Sequence, residues 1–302
     1  MRLLSFEKDG AAAPGIVRAE GGRADGGRAE GGRADGGRVV DLTALDPALP
    51  RDWPTLFAEG GLERLRALAE QVPADRCVPR AALRLLPPIP APPKILCVGL
   101  NYRAHAAETG ARIPETPIFF TRFASTLVGH GQPMIRPATS EQFDYEGELV
   151  AVIGRAAKHV TPAQALDHVI GYSIFNDGSL RDYQKAGKQW TLGKNADASG
   201  PFGPEIVTAE DLPAGASGLR IETRIDGTVF QEGRTDDLIF DVAALVAKAS
   251  EVMTLEPGTI LVTGTPPGVG LARDPQRWLK PGETVNVTIE GIGTLSNPVA
   301  AE

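Results

Sequence analysis

Asp144, Glu146 and Glu148 stand at alternate positions in Phe143-Asp144-Tyr145-Glu146-Gly147-Glu148-Leu149-Val150-Ala151-Val152-Ile153-Gly154. Alternate side chains of a strand share a face, so the spacing predicts three carboxylates pointing one way at the head of an apolar strand. Enclosed, such acids repel one another and lose hydration, at several kcal/mol for each uncompensated charge. A divalent cation would offset that repulsion. On this stretch alone, an exposed edge strand with solvated acids is an equal reading.

A second apolar run, Gly171-Tyr172-Ser173-Ile174-Phe175-Asn176, ends in Asp177 and is followed by Arg181, Asp182, Gln184 and, further on, Lys194. An acid at the end of a buried strand, trailed by cationic and amide groups, is how a site is built. Glu146, Glu148 and Asp177 would together offer an all-oxygen shell. That donor set suits Mg²⁺ or Mn²⁺, with Ca²⁺ also fitting, and disfavours zinc. Three protein ligands leave about three octahedral positions for water or substrate. His105 and Glu108, three residues apart in a predicted helix, would sit on one face. The carboxylate would orient the ring and raise its basicity, making a general base, although a surface ion pair uses the same spacing. His130, His159 and His168 have no carboxylate at that three-residue spacing in the sequence and read as structural.

The elements that must position these groups are short strands separated by Gly- and Pro-bearing turns. Strands are predicted at 95–99, 149–153, 170–175, 219–225, 259–263 and 284–289. Helices are predicted around 102–109, 162–167, 180–184 and 242–253, with helical apolar spacing over 53–72. The pattern predicts an α+β, mainly β body and not a doubly wound sheet. No phosphate loop or dinucleotide fingerprint occurs. Residues 78–93 are rich in proline and leucine, an extended connector between a small N-terminal region (1–93) and a main body (94–302). Within the N-terminal region, 19–38 is Ala-Glu-Gly-Gly-Arg-Ala-Asp-Gly-Gly-Arg written twice. Such a tract buries no apolar surface and reads as a solvated loop between the arms of a hairpin.

The chain has 302 residues, a formal net charge of −7 and only two cysteines, Cys77 and Cys97. The acidic balance argues against nucleic-acid and anionic-membrane partners. Two lone cysteines argue against a disulfide framework. Neither a signal-like stretch nor a long apolar run occurs, so the expectation is a cytoplasmic enzyme.

Taken together, several motifs resemble the fumarylacetoacetate hydrolase family. They are Val98-Gly99-Leu100-Asn101-Tyr102 with His105 and Glu108, Asp144-Tyr145-Glu146-Gly147-Glu148-Leu149, and Asn176-Asp177 with Arg181, Asp182 and Gln184. Leu192-Gly193-Lys194 and Val262-Thr263-Gly264-Thr265-Pro266-Pro267-Gly268-Val269-Gly270 complete the set, over roughly residues 94–300. The resemblance implies a mixed β-sandwich roll with a small N-terminal domain, assembled as a homodimer. It implies metal ligands at Glu146, Glu148 and Asp177, and a mobile lid carrying a catalytic His105–Glu108 dyad. Lys194, Arg181, Gln184, Thr265 and Tyr102 would meet the substrate and its developing oxyanion. The implied reaction is metal-dependent hydrolysis of a C–C bond in a small 2-oxo acid. The substrate would be an acylpyruvate such as fumarylpyruvate or maleylpyruvate, in aromatic catabolism. Oxaloacetate decarboxylation, isomerisation of a 2-hydroxyhepta-2,4-diene-1,7-dioate type of acid, and a non-catalytic ligand-binding relative are the alternatives. The chain departs from the family at Thr121-Arg122-Phe123, where many relatives carry Lys-Pro, and at Val128-Gly129-His130-Gly131-Gln132.

Overall fold

The computed structural model describes residues 1–18 and 36–302; most of the Gly-Gly-Arg repeat therefore lies outside the described residues. On either side of the repeat, Ala11–Arg18 pairs antiparallel with Arg38–Asp41, in register from Gly15↔Asp41 to Arg18↔Arg38.

Among the described residues, twelve strands form one mixed sheet. Its central run is Arg2–Lys8, Gly200–Thr208, Val169–Asn176, Gly147–Ile153, Ile260–Val262 and Ile95–Gly99, and Ile118–Thr121 closes one end. The N-terminal strand Arg2–Lys8 pairs with Gly200–Thr208 through Arg2↔Val207 and Leu3↔Ile206, so the first residues extend the sheet of the main body. A second sheet of five strands runs Thr228–Arg234, Arg220–Ile225, Thr284–Ile289, Gly293–Ala301 and Met134–Arg136. The architecture is α+β and mainly β.

Side-chain alternation explains how the layers stack. Along Gly147–Ile153, Leu149, Ala151 and Ile153 join one core with Ile221, Ile225, Val285, Val287 and Ile289 of the smaller sheet. Val150 and Val152 enter the opposite core, with Phe175, Phe202, Val262 and the N-terminal Leu3, Trp53, Leu56 and Leu65. Buried on both faces, this strand has to read as a continuous apolar run. The predicted 53–72 helix is two helices, Trp53–Ala58 and Leu62–Gln71. Gly60, at φ +67°, breaks the path. Cys77 and Cys97 are buried and unbridged. Among the described residues no helix is long and apolar enough to cross a membrane.

Candidate active site

The antiparallel pairing of Gly147–Ile153 with Val169–Asn176 matches Gly147 to Asn176 and Glu148 to Phe175. That register places Asp177, just past its strand, beside Glu146, whose carbonyl accepts the Asp177 N–H at 2.8 Å. Glu146, Glu148 and Asp177 are all buried, and one carboxylate oxygen from each lies within 4.8 Å of the others. The exposed edge strand is thereby excluded. The expected alternation does not run unbroken back to Asp144, which is outside that cluster. The strand stops at Phe143–Asp144 and resumes at Gly147, because Asp144 takes the Tyr145 N–H (2.8 Å) and Asn176 Oδ1 takes the Glu146 N–H (3.0 Å).

Cations interleave these acids. Lys194 Nζ donates to Glu146 Oε2 at 2.8 Å and to Asp177 Oδ2 at 2.6 Å. Arg181 Nε donates to Asp144 Oδ2 at 2.7 Å. Its Nη2 lies 2.5 Å from Glu146 Oε1, a close ion pair without hydrogen-bond alignment. Arg122 pairs with the other oxygen of Asp177, donates to the Gly178 carbonyl (3.0 Å) and Ser199 Oγ (2.6 Å), and lies over the Phe175 ring. The result is a buried chain of alternating charge: Asp144, Arg181, Glu146, Lys194, Asp177, Arg122.

Burial alone would raise Glu146, but Arg181 and Lys194 outweigh it and hold the carboxyl at about 2. Among the described residues Glu148 has no ion-pair partner, and Lys194 acts on it only more weakly. Burial, with Asp177 and Glu146 close by, pushes it well above the usual carboxylate range. The Lys194 ammonium is disfavoured by burial, yet Asp177 and Glu146 raise its affinity for the proton. Four buried carboxylates, Asp144, Glu146, Glu148 and Asp177, face three buried cations, Arg122, Arg181 and Lys194, and the one without an ion pair among the described residues is Glu148; that deficit fits a divalent cation. The all-oxygen donor set suits Mg²⁺ or Mn²⁺.

The loop 264–270 supplies backbone N–H groups to the acids in turn. Gly264 N–H donates to Glu148 (2.5 Å), Gly268 to Glu108 (2.9 Å) and Gly270 to Asp144 (2.8 Å). Gly264 and Gly268 both adopt positive φ, and a Cβ on Gly268 would lie 2.1 Å from the Phe230 carbonyl oxygen. Only glycine fits there. On the helix Arg103–Thr109, His105 Nδ1 faces Glu108 Oε2 at 3.1 Å, leaving Nε2 as its open nitrogen. The helix is rooted by Asn101, which bonds Thr263 and Phe240 through its side-chain amide.

The other expected site residues fall as follows. Arg181 Nη1 donates to Gln184 Oε1 at 2.8 Å, which fixes the other end of the amide, Nε2, as the donor. Thr265 Oγ1 donates to the Gly147 carbonyl (3.0 Å) and accepts from Gln231 Nε2 (2.7 Å), so its hydroxyl hydrogen is already committed. Tyr102 is fully buried, and its hydroxyl has no hydrogen-bond partner among the described residues. Burial raises its pKa, and the negative charge of Glu148 adds to the rise. Sequence reasoning missed Gln231 and the role of Arg122. Arg122 stood out only as a departure from Lys-Pro, and a glutamine inside a strand carries no local signal.

Residues 94–300 match the sequence profile of the C-terminal domain of fumarylacetoacetate (FAA) hydrolase. The mitochondrial oxaloacetate tautomerase fahd2 of Xenopus laevis is 41% identical over 304 residues, covering 99% of this chain and 90% of that protein. The crystal structure of a 2-hydroxyhepta-2,4-diene-1,7-dioate isomerase from Mycobacterium marinum superposes with a TM-score of 0.76 at 35% identity, covering 100% of this chain and 99% of that one. The fumarylacetoacetate hydrolase of psychrophilic Exiguobacterium antarcticum superposes with a TM-score of 0.80 at 36% identity, over 100% of both chains. The chain belongs to the fumarylacetoacetate hydrolase family.

Proposed function

We propose that this protein moves a proton at the carbon next to the 2-oxo group of a small 2-oxo diacid, and that keto–enol tautomerisation of oxaloacetate is its leading reaction. The observation that carries this reading is the pairing of an oriented base with a buried acidic triad: His105 stands against Glu108 at 3.1 Å, and Glu146, Glu148 and Asp177 bring carboxylate oxygens within 4.8 Å of one another. The near full-length identity to an oxaloacetate tautomerase supports it. A divalent cation held by Glu146, Glu148 and Asp177 would polarise the 2-oxo group and acidify the adjacent C–H.

The remaining work falls to the chain. Glu108, fixed by the Gly268 N–H, holds the imidazole so that Nε2 faces outward to take a proton and return it. Gln184, oriented by Arg181, aims its amide nitrogen at a substrate oxygen, and Lys194 adds positive charge where negative charge develops. The unpartnered Tyr102 hydroxyl is a donor ready for an oxygen on the inner wall. The reading includes a homodimer, supported by the exposed Phe123 and Leu192 near the terminal strand Ile118–Thr121.

Hydrolysis of an acylpyruvate is the second reading, supported by the 36% identity to a fumarylacetoacetate hydrolase. The same His105 could activate water instead of C–H. Three readouts with Mg²⁺ or Mn²⁺ and then EDTA separate them: loss of enol absorbance from oxaloacetate, pyruvate release from oxaloacetate above the metal background, and pyruvate with its companion acid from acylpyruvates. Metal-dependent enol loss without pyruvate is the expected result. Turnover of acylpyruvates with no effect on the enol would replace it with the hydrolase.

A further inference from the structure

A cavity of about 500 Å³ opens beside the helix that carries His105, and its wall includes Glu108, Phe230, Gly268, Asp274, Arg273 and Arg277. Glu108 joins this cavity to the candidate active site, since one of its oxygens faces His105 and the other accepts the Gly268 N–H. Two guanidinium groups stack on one ring: Arg273 lies 4.7 Å and Arg277 5.5 Å from the Phe230 centroid. Two like charges thus share one ring. Glu283 offsets Arg277 at 2.6 Å. Arg273 donates to neutral acceptors, Tyr145 Oη and the carbonyls of Gly268 and Phe230, and has no carboxylate partner among the described residues. Asp274 is exposed at the rim and pairs with neither arginine. Arg273 is therefore the cation of this cavity that no carboxylate offsets among the described residues, while Glu108 on the same wall is engaged by His105 and the Gly268 N–H.

Cations deeper in the site are already committed. Arg181 lies between Asp144 and Glu146, Lys194 between Glu146 and Asp177, and Arg122 on Asp177. Arg122, Arg181 and Lys194 therefore offer no unpaired charge to the far carboxylate of a substrate, whereas Arg273, on the cavity that Glu108 lines, does.

We propose that Arg273 and Arg277 form a subsite for the distal carboxylate of a 2-oxo diacid. The inference rests on the proposed function, which puts the reacting carbon beside His105; the substrate beyond that carbon then runs past Glu108 into the cavity. Arginine suits this task, because its fork meets a carboxylate with paired N–H groups. The cavity exceeds one carboxylate in size, so diacids longer than oxaloacetate fit it better.

The test is calorimetric affinity of the Mn²⁺-loaded protein for oxaloacetate, 2-oxoglutarate and 2-oxoadipate against 2-oxobutyrate and 2-oxovalerate. Oxalate, too short to reach the cavity, reports on the inner site. Wild type should prefer the diacids, and added salt should shrink the preference. In Arg273→Gln and Arg277→Gln the diacid-to-monoacid affinity ratio should fall about 10- to 100-fold while oxalate still binds. A wild type with no diacid preference, or variants with an unaltered ratio, would overturn the subsite. Deuterium exchange at the carbon beside the 2-oxo group, followed by NMR in the same samples, reports on the base separately. Absent exchange with intact diacid preference would reject the catalytic reading and leave the subsite standing.

Discussion

Lys194→Met should act in opposite directions on the metal-free and metal-loaded protein. Lys194 is 2% exposed, and its ammonium bridges Glu146 and Asp177, two of the three carboxylates suited to the cation. Without metal it is the one positive charge that both acids share. Methionine keeps the stem's volume and leaves those acids facing each other. Breaking a buried ion pair by removing one partner costs about 3–5 kcal/mol. At roughly 2–4 °C per kcal/mol, the variant in EDTA should melt roughly 6–20 °C lower. Metal binding should move the other way. A unit charge about 4 Å from a divalent ion repels it by about 8 kcal/mol at an effective dielectric constant of about 20. Water entry and movement of the ammonium relieve most of that. Retaining about 1.4 kcal/mol still makes Mn²⁺ binding tenfold tighter in the variant. Calorimetric titration with Mn²⁺, paired with melting curves in EDTA and in saturating Mn²⁺, measures both effects. Weaker Mn²⁺ binding by Lys194→Met would refute the reasoning, because it would make Lys194 an organiser of the carboxylates and not a substitute for their cation.

His105→Gln should lower proton exchange beside the 2-oxo group by about 10²–10⁴-fold with Mn²⁺ affinity little changed; equal losses in both would assign His105 to metal binding. Arg122→Lys should retain the charge but lose the fork that reaches Asp177, Gly178 and Ser199 together, so Mn²⁺ affinity should drop about 10-fold and melting by a few degrees. An unchanged affinity would leave Arg122 with a purely structural part. Asp41 caps Leu42–Leu45, and hydrogen bonds from Lys8 and Thr43 overcome its burial to hold it below the usual carboxylate range. A depressed folded-state pKa gives stability that is present above about pH 4 and fades as pH falls through the folded value. Asp41→Asn should therefore cost about 1 kcal/mol at pH 7 and nothing measurable near pH 2; a constant penalty across that range would remove the electrostatic account.

Some of this molecule is legible in one dimension. Period-two burial in 284–289 marks a strand, and the unbroken apolar run of 149–153 marks one buried on both sides. Glu146 and Glu148 are visible through alternation, Asp177 through its place at a strand end, and His105 with Glu108 through helical spacing. Each depends on residues a few positions apart, where backbone geometry alone fixes the neighbours. The rest depends on register and on loop path. Asp144 falls outside the cluster of Glu146, Glu148 and Asp177, past an interruption of the strand where Asn176, 30 residues on, takes the Glu146 N–H. Arg122 reaches Asp177 across 55 residues, Gln231 holds Gly147 across 84, and Gly264 serves Glu148 across 116. Composition can specify that buried acids need positive partners. Which cation faces which acid is decided only when the two sheets pack and the 264–270 loop closes over them, since that choice is made by distance in space and not by distance along the chain.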